Sequence, residues 1–180
     1  MTTLAEDNIT AWLKRATPEQ HSEGLKWYSK AHHWCRDLAD ESGIDFLRVV
    51  KILAALSPRT PWPRNLLDAR ACTLAIKPWN YVTYPANVQK AQKIRAGDVT
   101  VLSGPKVLSF AACIVDPTDK HSVCVDRHAA RVAGVMDIRT ITAKKYNDIA
   151  AAYRQVASQQ NLLPQQVQAI TWITYRKAKK

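Results

Sequence analysis

Three short segments of this chain carry residue types that suit chemistry on an anionic substrate. In Val123-Cys-Val125-Asp126-Arg127-His128-Ala-Ala-Arg131-Val132 a lone carboxylate closes an apolar run and directly precedes a helical pattern. Aspartate at that position is a good helix N-cap, worth about 1 kcal/mol. Backbone amides and the helix dipole also favour negative charge there. In a low-dielectric cleft, such a carboxylate would stabilise positive charge developing on a sugar ring. The second segment, Ser103-Gly-Pro-Lys106, lies between two helical patterns. The amides of a helix N-terminus bind anions, so a glycine-bearing turn there can hold a phosphate without reading sequence. Lys106 is either a phosphate-binding cation or, where its ammonium form is disfavoured, an amine nucleophile able to form a Schiff base. The third segment, Leu56-Ser-Pro-Arg59, ends an apolar helix and offers Arg59 as a projecting cation.

Metal chemistry has less support. His32, His33 and Cys35 form one grouping of ligand types, and His121, Cys124 and His128 another. Neither has a second ligand pair at zinc-finger spacing. Cys35, Cys72, Cys113 and Cys124 are too far apart in sequence for a CxxC pair or a four-cysteine cluster. No metal, no cofactor and no disulfide framework is expected, and a reducing compartment suits this pattern.

The elements that must position these segments read as helices. Leu4, Ile9, Trp12 and Leu13 recur at helical spacing within Thr3–Ala16. Thr17-Pro18 is an N-cap with proline at the first helical position. One helix is expected from there toward Asp40, burying Leu25, Tyr28, Trp34, Cys35 and Leu38, with Gly43 as a stop. Asp45 caps Phe46–Leu56, which is apolar nearly all round and so central. Three prolines exclude helix over Ser57–Pro63. The next helix is expected to bury Leu66, Leu67, Ala71 and Leu74. Lys77–Pro85 reads as a loop, followed by a helix through Ile94 and a break at Gly97-Asp98. Val99–Leu102 is a turn rather than a strand, and Val107–Val115, Arg127–Ala133, Thr142–Gln160 and a segment from Pro164 are helices. The expectation is eight or nine helices in an all-α fold.

Composition and charge narrow the partner. The chain has 180 residues, 47% hydrophobic and 23% charged, which excludes disordered and fibrous classes. No apolar run reaches the roughly 18 residues of a membrane helix, and Met1-Thr-Thr-Leu-Ala-Glu-Asp is not a signal peptide; a soluble, cytoplasmic protein is expected. There are 26 Lys and Arg against 15 Asp and Glu, a net +11. Residues 1–60 balance at eight of each sign, so the whole excess lies beyond residue 60. Part of it is the Arg176–Lys180 run, which a solvated tail would also explain. A basic half of this kind is the electrostatic footprint of a nucleic-acid binder.

The three segments together resemble the helix-hairpin-helix DNA glycosylase superfamily, the endonuclease III-like group. Gly104-Pro-Lys106 is similar to its hairpin-to-helix step, Val125-Asp-Arg-His128 with Arg131-Val132 to its aspartate segment, and Lys90-Ala91 with Ile94 to the helix before the hairpin. The hairpin is shorter than the two-glycine form, and the iron–sulfur cysteines of many members are missing. The resemblance covers Phe46–Val132. It implies two helical lobes flanking a DNA-binding cleft, here 44–120 with the hairpin and 1–43 with 121–180. It makes Asp126 the catalytic aspartate, Lys106 the lysine that attacks the sugar in bifunctional members, and Arg59 a wedge filling the gap left by a flipped base. Ser103, Gly104, Lys90, Arg127 and His128 are the expected DNA contacts, with Arg59. Trp62 and Asn65 are the expected base-pocket residues; Trp79, Tyr81 and Tyr84 also lie in nearby loops. The expected protein is a monomeric N-glycosylase on double-stranded DNA, with or without lyase activity. Two alternatives remain open: a non-catalytic DNA-binding module, and a transferase that hypermodifies a DNA base on the same scaffold, as in some phage relatives.

Overall fold

A computed structural model describes residues 3–77, 79–137, 139 and 141–179. Met1, Thr2 and Lys180, which entered the sequence argument, lie outside the described residues. Among those described there are ten α-helices, a 3₁₀ turn at Val99–Val101 and no strand, so the fold is all-α. Among the described residues no helix is long and apolar enough to cross a membrane.

The chain forms two compact units. One comprises residues up to Lys30 and from Asp116 onward, the other Ala31–Val115. The expected divisions were 43/44 and 120/121. The first observed one falls inside a helix, because Ala31, Cys35, Leu38 and Ala39 are buried core residues of the second unit.

The first unit contains α1 (Leu4–Lys14), α2 (Pro18–Leu25), the start of α3 (Trp27–Ser42), α8 (Arg127–Val132), α9 (Ala143–Gln160) and α10 (Pro164–Lys177). Its helices start where capping chemistry places them. Thr3, Thr17, Asp126 and Thr142 each accept a backbone N–H from the first turn that follows, and Gln20 completes a capping box with Thr17. Helix α10 is central and packs on α1, α2, α8 and α9. Val167 and Ile170 are fully buried with Ile9, Tyr153 and Val156.

The single helix expected from Thr17 toward Asp40 is instead two, α2 and α3, with a break at Lys26. Gly24 lies just before the break. A Cβ there would lie 2.4 Å from Ile170 Cγ1 and 2.7 Å from Ile170 Cα, so α2 sits directly against the backbone of α10 at a residue that also weakens helix by about 1 kcal/mol.

The second unit is built on α4 (Phe46–Leu56), against which α5 (Trp62–Thr73), α6 (Pro85–Ala96) and α7 (Pro105–Val115) pack. Val49, Val50 and Ile52–Leu56 are buried, as expected for a helix apolar nearly all round. The face of α5 differs from expectation. Ala71 is buried as expected, but Leu67 is exposed and Leu66 and Leu74 are only half-buried, while Asn65, Asp68, Ala69, Cys72 and Thr73 are buried. A buried carboxylate turns the helix: Asp68 Oδ1 accepts from Arg64 Nε at 2.8 Å and Trp79 Nε1 at 2.9 Å, and Oδ2 from the Val82 N–H at 3.3 Å. Apolar periodicity could not see hydrogen bonds to a loop that had yet to be placed.

Candidate functional site

Asp126 lies in the first unit, at the end of an extended segment pinned from one side. The Tyr146 hydroxyl accepts from the Val125 N–H at 3.2 Å and donates to the Val123 carbonyl at 2.9 Å. Val123, Cys124 and Val125 are buried, and Asp126 is the half-buried residue that emerges. Its backbone is extended and its side chain caps α8. Oδ1 accepts from the His128 and Ala129 N–H groups at 2.9 and 2.8 Å. Oδ2 accepts from Trp172 Nε1 on α10 at 3.1 Å. The carboxylate therefore has three donors, two from its own helix turn and one from a distant helix.

Cations and rings surround this carboxylate. The Arg176 guanidinium sits 4.6 Å from the Trp172 ring centroid, a cation–π contact. His128 packs edge-on to Trp172 at 6.3 Å and lies 6.0 Å from Tyr175. Burial lowers the His128 pKa; Asp126 opposes this, and Arg127, Arg176 and Arg131 reinforce it. His128 Nε2 accepts from Arg127 Nε at 3.4 Å, while its Nδ1 is buried with no hydrogen-bond partner among the described residues. Trp172 was missed as a site residue at the sequence level. Its only signal there is a large amphipathic ring on the last helix.

The remaining expected site residues lie in the second unit. Helix α6 ends at Gly97 and the chain returns through a 3₁₀ turn (Val99–Val101), Leu102 and Ser103 to Gly104, which starts α7. Both glycines have positive φ, 117° and 96°, a conformation costly for other residues. Leu102 is buried and anchors the turn. Lys90 Nζ donates to Ser103 Oγ at 3.1 Å, so the structure joins two expected phosphate contacts across the turn. Lys106 is half-buried in the first turn of α7.

Arg59 belongs to the loop that follows α4. It lies between α4 and α5, exposed, with φ of 62°, a left-handed conformation that costs a non-glycine residue about 1–2 kcal/mol. Neighbouring contacts hold it there. Thr83 Oγ1 donates to the Pro58 carbonyl at 2.8 Å, Thr60 Oγ1 to the Leu56 carbonyl at 2.8 Å, and Asn87 Nδ2 to Thr83 Oγ1 at 3.0 Å. Arg59 Nη1 donates to the Tyr84 hydroxyl at 2.7 Å, with the guanidinium 5.2 Å from that ring's centroid. Trp62 is half-buried and packs edge-on to Phe110 at 6.5 Å. Asn65 is 1% exposed, and its Oδ1 has no partner among the described residues. Asn65 is thus a packed residue, whereas Trp62 keeps part of its surface exposed.

The described residues contain no group of three or more His, Cys, Asp or Glu side chains able to hold a metal ion. All four cysteines are buried and none is in a disulfide, and burial pushes the Cys35 thiol up to about 12.

A family described as Family of unknown function (DUF7178) matches residues 1–179. With nearly the whole chain covered, the protein belongs to that family. No curated protein matches the chain, and no solved structure does.

Proposed function

We propose that this DUF7178 member is a DNA N-glycosylase acting on a damaged or modified base. The observation that carries the reading is the Asp126 carboxylate, oriented by two helix amides and an indole N–H, with its neighbour His128 in the field of Arg127, Arg176 and Arg131. The net charge of +11 favours a polyanionic substrate. The target base leaves the stack, because its glycosidic carbon is inaccessible inside a duplex. Arg59 fills the vacated space. As the C–N bond breaks, its electron pair leaves with the base and Asp126 stabilises the cationic sugar. Water then completes hydrolysis. In a bifunctional route the neutral Lys106 amine attacks C1′ instead, the base leaves with the C–N electron pair, the amine gives up a proton, and opening of the C1′–O4′ bond yields the Schiff base. Ser103, Gly104 and Lys90 hold a backbone phosphate.

A second reading, a non-catalytic DNA-binding module, is favoured by one feature: both Asp126 oxygens already have structural donors. Single-turnover assays over a panel of damaged and modified duplexes separate the readings by product. Released base supports the glycosylase, an altered base supports a modifying transferase, and salt-sensitive binding without product supports the module. Asp126→Asn should slow base release by about 10²–10³-fold without weakening DNA binding. Borohydride should trap wild type on DNA, and not Lys106→Gln, only if Lys106 is the nucleophile. Base release by Asp126→Asn at the wild-type rate overturns the proposal.

A further inference from the structure

We infer that Trp172 is a positioning residue for Asp126, an inference that rests on the glycosylase reading for its catalytic consequence. The two amides that bind Oδ1 belong to the helix Asp126 itself caps. They fix one oxygen only. The terminal torsion of an aspartate side chain is broad and roughly two-fold, so a single anchored oxygen leaves the carboxylate plane loosely set. The Trp172 indole supplies the second anchor, on Oδ2 at 3.1 Å.

The indole is itself held in place. Arg176, one turn along α10, covers the ring at 4.6 Å. Trp27 packs at 6.4 Å with its plane tilted by 59°, and His128 meets the ring edge-on at 6.3 Å. The flanking α10 residues Thr171 and Ile173 are buried. An indole nitrogen donates and never accepts. Trp172 therefore requires an acceptor at Oδ2, and it tells aspartate from asparagine. In the Asp126→Asn variant the new side chain would keep its oxygen on the α8 amides. Its NH₂ would then face the indole N–H, donor against donor.

The test uses the full chain with ¹⁵N-labelled tryptophan. The chain has six tryptophans, and Trp172→Phe keeps the ring packing while deleting one indole resonance, which identifies it. In Asp126→Asn that resonance should move while the others stay. An unmoved resonance overturns the inference. Should Trp172→Phe fail to fold, the Asp126→Asn spectrum decides alone, since one indole resonance moves or none does. On a duplex that wild type processes, Trp172→Phe should release base about tenfold more slowly under single turnover, with unchanged DNA affinity at matched salt. A wild-type rate, or a rate loss explained wholly by weaker DNA binding, overturns the positioning role. Absence of base release by wild type on every duplex overturns the glycosylase reading instead, and the resonance comparison still decides whether Trp172 orients Asp126.

Discussion

Replacing Asp68 with alanine should unlatch the loop that follows α5. Asp68 is 0% exposed and gathers three donors: Arg64 Nε at 2.8 Å, Trp79 Nε1 at 2.9 Å and the Val82 N–H at 3.3 Å. Arg64 also donates to the Asn80 carbonyl, so carboxylate and guanidinium together clamp residues 79–82. Removing one partner of a fully buried ion pair costs about 3–5 kcal/mol. Arg64 retains 35% exposure and can rehydrate, and so can the half-buried Trp79. The lower end, about 3 kcal/mol, is therefore expected. For a chain of this size that lowers Tm by roughly 6–12 °C. Asp68→Asn should fall between, because its oxygen can keep Arg64 and Trp79 while its NH₂ faces the Val82 N–H. Urea midpoints measure the global cost. Hydrogen exchange at the Val82 amide and the Trp79 indole measures the local one. The loop continues into Thr83 and Tyr84, which hold Pro58 and Arg59, so duplex binding that depends on Arg59 should weaken as well. Stability of Asp68→Ala within about 0.5 kcal/mol of wild type, the range of a neutral surface change, would refute the buried-clamp argument.

Other outcomes follow from the same contacts. Gly24→Ala forces a Cβ to 2.7 Å from Ile170 backbone atoms and should cost about 3 kcal/mol, the upper end for overpacking, read as a lower urea midpoint; a neutral result would mean α2 can shift off α10. His128 has a folded pKa below the ordinary imidazole value near 6.5. The unfolded chain takes up that proton first as pH falls, so the stability present above about 6.5 is lost as pH drops through the lower folded value. His128→Gln should flatten that part of the pH–stability curve, measured by urea midpoints across the mildly acidic range below about 6.5. With all four cysteines buried and the Cys35 thiol pushed up to about 12, a thiol reagent at mildly alkaline pH should react slowly with native protein and label all four in denaturant.

The sequence by itself determined much of this protein, for local reasons. Helix starts were legible because Thr3, Thr17, Asp45, Asp126 and Thr142 cap with their own side chains, a decision made within four residues. The burial of α4 was legible because it is apolar nearly all round, with Arg48 and Lys51 its only charged residues. The N-cap role of Asp126 and the glycine-bearing return before Lys106 were legible on the same local grounds. What only the tertiary structure decided depends on partners remote in sequence. Trp172 reaches Asp126 across 46 positions, and no spacing rule predicts which distant helix supplies a donor. Asp68 turned α5 against its apolar pattern, because hydrogen bonds to residues 79–82 outweigh the burial of Leu67. The expected single helix from Thr17 toward Asp40 runs through Gly24. The close approach of Gly24 to Ile170 makes it a contact between helices instead, with the chain breaking at Lys26. Capping and amphipathicity are local and can be read along the chain; the pairing of buried polar groups exists only once the chain has folded.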